Sequence, residues 1–197
     1  MPEDGLTQTM WTVLTETDRL LIRRFEAGDE QLLARIFCDP GMMRYLGGPW
    51  DAPQLAEALQ EWRGDWGVAN RWHGMLVRKD NAQAVGTAGI AADTLRDEPG
   101  VELTWFVLPD LQGRGYAAEI SRALLRLAFD GLGAERVVAE THPDNPAANR
   151  LLHRLGFTCL GERRCQYEDL PGFDRQAVWA LTRQTHRLDQ IISRVPA

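Results

Sequence analysis

Long apolar runs are absent from this 197-residue sequence, and no stretch approaches the roughly 20 residues a helix needs to cross a bilayer. The opening decapeptide, MPEDGLTQTM, carries acids and lacks the apolar centre of a secretory leader, so a cytoplasmic protein is expected. Cysteine is scarce. Cys38, Cys159 and Cys165 are odd in number and fall at no disulfide-framework or metal-ligand spacing, which predicts reduced thiols and no metal site. An excess of positive charge is also lacking. A formal net charge of −6 argues against nucleic acid or an anionic membrane as the main partner, because both reward a basic face, and it suits a cationic substrate slightly better. Repeats and low-complexity segments are missing too, and the length fits one ordinary domain with its own core.

What is present reads as alternating elements. Residues 1–16 carry no sustained periodicity and are expected to form a loose lead-in; Arg19 to Phe25 reads as a strand. Asp29 resembles a helix N-terminus, with Leu32, Leu33, Ile36 and Phe37 at helical spacing until Asp39-Pro40-Gly41 stops the pattern. A second helix opens at Pro53, with Leu55, Ala58, Leu59 and Trp62 on one face and Trp66 four residues on. Residues 72–79 and 83–92 read as a hairpin turning at Asp80-Asn81-Ala82, and Val101 to Leu108 as the next strand. Ile120, Ala123, Leu124, Leu127 and Ala128 line one side of the best-patterned helix, which Gly131 and Gly133 end. Arg136 to Thr141 is a strand, Asn145-Pro146 an N-cap with a first-turn proline, and Leu151, Leu152 and Leu155 mark a short helix closed by Gly156. Phe157 to Tyr167 and Arg175 to Leu181 follow as strands before a polar stretch, 183–197, with helical character. The order predicts an α/β (α+β) fold in which helices flank a mixed, mostly antiparallel central sheet.

Between the strand ending at Leu108 and the best helix lies Gln112-Gly113-Arg114-Gly115-Tyr116-Ala117. A strand that passes through glycines directly into a helix aims unpaired N–H groups and the positive end of the helix dipole at one spot, a place for an anion. Arg114 adds a charge at its rim. Neither a Walker loop nor a three-glycine dinucleotide fingerprint is present, and glycines that merely permit a tight turn remain the plain alternative.

The segments Glu102-Leu103-Thr104-Trp105-Phe106-Val107-Leu108-Pro109, Gln112 to Glu119, Asn145-Pro146-Ala147-Ala148 and Leu155-Gly156-Phe157 together resemble the GCN5-related N-acetyltransferase (GNAT) superfamily, in particular its ribosomal-protein N-terminal acetyltransferase branch. Thr17 to Arg23 resembles that branch's first strand, so the similarity runs from about 17 to 182. The resemblance implies an acyl-CoA N-acyltransferase fold and transfer of an acetyl group from acetyl-CoA to a primary amine, of a protein N-terminus or a small molecule, by direct ternary-complex attack. A CoA-binding sensor without turnover is the alternative it leaves. It implies that Gln112, Gly113, Arg114, Gly115, Tyr116 and Ala117 cradle the pyrophosphate through backbone amides. The pantetheine arm would lie along the strand at Phe106, Val107 and Leu108, freed by a splay from the neighbouring strand, with Asn145 touching the same arm. Members of the branch are often homodimers.

Removing a proton from an ammonium needs a base, and the resemblance assigns it to Glu102, on the face shared with Thr104 and Phe106. A solvated strand-end carboxylate or an arginine partner is the other reading of Glu102. Thr104 stands where the family has glycine. Leu152 and Ala148 stand where the family and the branch carry the tyrosine or serine that protonates the leaving thiolate, which leaves water or another side chain for that step. His142 is either an acid or base near the cleft or a hydrogen-bonding loop residue, and His153 and His73 are weaker candidates. Trp50, Trp62, Trp66 and Trp72 offer an aromatic wall for an acceptor or simply core volume, and Trp105 and Trp179 read as core.

Overall fold

A computed structural model describes residues 13–95, 98–164 and 175–186. Eight strands form one sheet in the order β1-β2-β3-β4-β5-β6-β8-β7: β1 Val13–Glu16, β2 Leu20–Arg23, β3 Arg71–Arg78, β4 Ala84–Leu95, β5 Glu98–Val107, β6 Arg136–Thr141, β7 Thr158–Arg164 and β8 Arg175–Thr182. Every neighbouring pair is antiparallel except β5 and β6. Those two are parallel because a crossover joins them through helix α4, Tyr116–Arg126. The mixed, mostly antiparallel sheet flanked by helices is thus the architecture the residues predict.

Three helices precede β3: α1 Glu30–Phe37, α2 Pro40–Met43 and α3 Ala52–Asp65. Asp51 caps α3 by accepting from the Gln54 N–H at 2.8 Å while Gln54 returns the bond to the Asp51 N–H, a reciprocal pair that fixes the start one residue before the expected proline. Asp29 precedes α1 as expected but caps nothing. Its carboxylate instead takes both Arg23 guanidinium nitrogens at 2.8 Å and the Glu26 N–H at 2.7 Å, tying the end of β2 to the helix that follows. Burial would raise the Asp29 pKa, but these bonds outweigh it and hold the carboxyl below its ordinary range.

Two expectations change. Val13–Glu16, read as part of the loose lead-in, is an edge strand paired with β2; Met1 to Thr12 lie outside the described residues. Asp39-Pro40-Gly41 stops α1 but also starts α2, because the Asp39 side chain accepts from the Met42 N–H at 2.8 Å and proline suits the first turn. The last strand candidate before the final hairpin is described only through Arg164, and Cys165 to Tyr167 fall outside, as do residues 187–197; 183–186 form one helical turn.

The core runs on both faces of the sheet. Ile120, Ala123, Leu124 and Leu125 bury one side of α4 while Arg122 and Arg126 face water. α1 and α3 cover the face that carries Phe106: Phe37 meets Phe106 at 5.1 Å, and Trp62 meets His73 at 4.6 Å between ring centroids. Helix α5, Pro146–Arg154, buries Leu151 and Leu152 and precedes β7.

Candidate functional site

The strands β5 and β6 are in register only at Val101–Val137 and Glu102–Val138. Beyond that they part, and a V opens between residues 103–107 and 139–141. On its other edge β5 stays paired with β4 through Val107–Gly86. The Leu108 N–H donates to the Val85 carbonyl at 3.0 Å, which fixes the phase of that ladder: Phe106 and Thr104 turn their backbone groups to β4, whereas Leu103, Trp105 and Val107 turn theirs the other way, the Leu103 N–H onto the last rung with Val138 and the rest into the V. The freed edge expected near Phe106 and Val107 therefore belongs to Val107 and the odd-numbered residues before it, while Phe106 contributes its ring to the aromatic face.

At the open end of the V the chain makes a single turn at Pro109–Leu111 and enters the glycine loop. Gly113 and Gly115 both have positive φ, +75° and +81°, a region that costs a residue with a β-carbon about 1–2 kcal/mol. Gly115 is the N-cap of α4 and supplies no side chain to bond the first-turn N–H groups, which leaves those donors for a ligand. A β-carbon at Gly113 would meet nothing within 4 Å, so open space lies above the loop.

The side chains of the loop frame it. Gln112 donates through Nε2 to the Val107 carbonyl at 3.0 Å and touches Met42 Sδ of α2 at 3.7 Å. Arg114 is exposed and donates to the Asp110 carbonyl at 3.3 Å. Tyr116 is buried under the Arg19 guanidinium, 5.0 Å from the ring centre, so its backbone alone faces the loop, and Ala117 is half-buried. Glu119, one turn into α4, would oppose an anion at this helix end. Its carboxylate is instead taken by the Thr17 hydroxyl, the Arg19 N–H at 3.2 Å and Arg19 Nε at 2.7 Å. Burial alone would raise the Glu119 pKa, but these bonds lower it. Arg19 also reaches the Arg114 carbonyl at 3.3 Å, so the loop is braced from β2.

Glu102 sits half-buried at the base of the V, the last β5 residue in register with β6, and shares its face with Thr104 and Phe106. Over that face Phe37, Trp50, Trp62 and Phe106 form one aromatic group, with Phe37 and Trp50 stacked at 4.8 Å. Trp50, Trp62, Trp66 and Trp72 are only partly buried, whereas Trp179 is core and donates to Thr141 Oγ1 at 3.0 Å. His73 bonds Thr87 Oγ1 at 3.1 Å, and burial pushes its pKa down to about 4.

Across the V, Asn145 caps α5 by accepting from the Ala148 N–H at 3.2 Å. Leu152 is fully buried, so α5 presents no hydroxyl there. Asn149, one turn after Asn145, carries no signal in the sequence: it accepts from Thr141 Oγ1 at 2.6 Å and donates to the Pro143 carbonyl at 2.8 Å, clamping the turn between β6 and α5. Tyr45 also gave no signal, since its role depends on a stack with His142, 97 positions along the chain, with ring centroids 5.4 Å apart. No group of His, Cys, Asp and Glu that could hold a metal occurs among the described residues.

Residues 19–158 match the family described as acetyltransferase (GNAT) domain. The uncharacterized N-acetyltransferase YoaA of Bacillus subtilis (strain 168) is 27% identical over 173 residues, covering 82% of this chain and 92% of YoaA. Among solved structures, a GNAT-family acetyltransferase from Bacillus anthracis superposes with a TM-score of 0.72 at 21% identity, covering 86% of this chain and 98% of that one. Spermidine N-acetyltransferase from Vibrio cholerae, solved with CoA and spermine, gives 0.71 at 16% identity, covering 87% and 99%.

Proposed function

Because the chain belongs to the GNAT acetyltransferase family, we propose that it transfers an acetyl group from acetyl-CoA to a primary amine by direct attack in a ternary complex. The observation that carries this reading is the V between β5 and β6, which ends at a loop of two left-handed glycines and an uncapped helix N-terminus. Its residues fit the cofactor. Backbone N–H groups of Gly113, Arg114, Gly115, Tyr116 and Ala117 would hold a diphosphate, with Gln112 keeping the loop against Val107. The groups of that edge left open, the Leu103 carbonyl, Trp105 and the Val107 N–H, would pair with the amides of the pantetheine arm, beside Leu108 and Asn145. Acetyl-CoA, when bound, supplies an activated thioester.

The protein's own part is to hold the acceptor and remove its proton. An ammonium near pKa 10 is no nucleophile, and Glu102, at the base of the V on the aromatic face, is the carboxylate proposed to take that proton, directly or through water. Trp50, Trp62 and Phe106 would attract the cationic amine to their ring faces on approach, while the water they exclude eases loss of its proton. The similarity in fold to the Vibrio cholerae spermidine N-acetyltransferase makes a cationic small molecule one acceptor worth trying, next to a protein N-terminus.

Acetyl transfer across an amine panel, with the Glu102→Gln variant beside the wild type, tests this. We expect kcat/KM to fall by roughly 10²–10⁴-fold in the variant, with CoA affinity intact and the acid limb of the pH–rate profile lost. An unchanged profile removes Glu102 as base, and CoA binding by the wild type without transfer to any amine would make the chain a CoA sensor instead.

A further inference from the structure

His142 follows β6 directly and lies at the mouth of the V. Because Glu102 and Val138 are in register, they point to the same face of the sheet. Strand alternation carries that face on to Glu140 and His142, so His142 stands on the side of Glu102, Thr104 and Phe106. Its contact agrees. The ring stacks on Tyr45, from the segment after α2, which reaches over from the same side, and α2 itself touches Gln112 on the far bank through Met42.

The imidazole is about nine-tenths buried, at 9% exposure. Its Nδ1 accepts the Asp144 N–H at 3.1 Å. A backbone N–H can only donate, so Nδ1 must offer a lone pair, and the proton of the neutral ring lies on Nε2. The Asp144 carboxylate stands off at 3.9 Å and is exposed, whereas its N–H is within bonding distance. Nε2–H has no partner among the described residues, nor is it one of their buried unsatisfied atoms, so it is open to a ligand at the mouth of the V where the ring stands. A ring held this way is unsuited to taking a proton at Nε2, where it already carries one. It is suited to donating a hydrogen bond. An oxygen brought by a ligand would satisfy this donor in place of water.

We propose that His142 is an acceptor-binding residue, a fixed Nε2–H donor that grips a carbonyl oxygen of the substrate whose amine faces Glu102. The proposal rests on the transferase reading above and deepens it. It divides the candidate acceptors by whether a carbonyl lies close to the amine, as in an amino-acyl amide, or is missing, as in an alkylamine or polyamine. Tyr45 is then a positioning residue that fixes the ring plane, with the Arg44 guanidinium 4.4 Å from the centre of the Tyr45 ring behind it.

Two measurements test it. Nitrogen-15 NMR of the intact protein without CoA reports the tautomer, and titration with glycinamide and with ethylamine reports which acceptor moves the His142 Nε2 resonance. The Nε2–H pattern, shifted by glycinamide and not by ethylamine, is expected; an Nδ1–H pattern, or equal shifts with both amines, overturns the proposal. Steady-state kinetics then compare wild type, His142→Phe, which keeps the stack without the donor, and His142→Gln, which restores an amide donor. In His142→Phe the KM for glycinamide is expected to rise about tenfold, equivalent to about 1.4 kcal/mol, with the KM values for ethylamine and acetyl-CoA unchanged and with recovery in His142→Gln. Equal effects on both amines, an effect on acetyl-CoA alone, or no effect all sink it. If the Phe variant fails to fold, the Gln variant and the tautomer still decide. Failure of the transferase reading appears separately, as wild-type protein that acetylates neither amine.

Discussion

At His73 the imidazole is ringed by Phe25 at 5.5 Å and Trp62 at 4.6 Å, with the Thr87 hydroxyl as its hydrogen-bond partner. Burial there disfavours the charged form and lowers the pKa from 6.5 to about 4. In the unfolded chain the same group protonates near its ordinary value, so below about pH 6.5 the unfolded state binds more protons and stability falls with pH until about pH 4. Above that window the group contributes no slope. Asp29 and Glu119, both held low, act in the same direction but lower down, losing their contribution as pH falls through and below the ordinary carboxylate range of about 4. Between about pH 7.5 and 5 we therefore expect urea unfolding of the wild type to lose about 2 kcal/mol that His73→Gln, able to keep the Thr87 bond without titrating, does not lose. Parallel losses in both proteins would assign the slope elsewhere. A neutral His73 also puts no positive charge in the way of an ammonium approaching the aromatic face.

Individual elements carry the site, and two of them can be tested without touching the chemistry. Gly115 begins α4 at φ +81°, and a β-carbon there meets only the Arg19 side chain at 3.6 Å, an ordinary contact, so Gly115→Ala acts through the backbone. We expect about 1 kcal/mol lost in denaturant unfolding and weaker CoA binding by calorimetry; unaltered binding would mean that the loop's shape does not matter to the ligand. Asn149→Ala removes three bonds that tie the β6–α5 turn, from the Thr141 hydroxyl and to the His142 and Pro143 carbonyls, and should cost about 1–2 kcal/mol in the same unfolding assay with CoA contacts intact. Asn149 illustrates what the sequence withheld. An asparagine inside a helix carries no pattern, and its value arises from Thr141 and Pro143 folded against it. By contrast α4 was legible, since a 3.6-residue period over eleven residues and a glycine start leave few alternatives. Edge strand β1 was not, because four residues are too few for alternation to register, and α2 hid behind an Asp-Pro that reads equally as a stop. For the freed edge, the sequence indicated the neighbourhood but not the parity, which depends on one hydrogen bond between Leu108 and Val85.

As a whole the protein is a sheet in two parts, β1 to β5 and β6-β8-β7, in register with each other only at two residue pairs. A ligand lying in the V would join them, and linkage makes that measurable: at one hundred times its dissociation constant, CoA should add about 2.7 kcal/mol to the unfolding free energy. Stabilisation alone does not say where the ligand sits, but the ladder does. Thr104 and Phe106 already spend their N–H groups on β4, so their hydrogen exchange in the free protein is slow and should gain no more protection than the added global stability gives. Trp105 and Val107 face the V without a strand partner and should exchange faster in the free protein and slow on CoA binding, whereas the Leu103 N–H belongs to the last rung with Val138. The expected signature is thus an alternation along one strand, with protection at Trp105 and Val107 rising beyond the common gain at the even positions, together with slowed exchange at Gly115 to Ala118. Protection spread evenly over 103–107 would report global stabilisation and nothing about the edge. Protection confined to the glycine loop would leave the ligand outside the V, and the roles given to Leu103, Trp105 and Val107 would fall while the anion-binding turn stood.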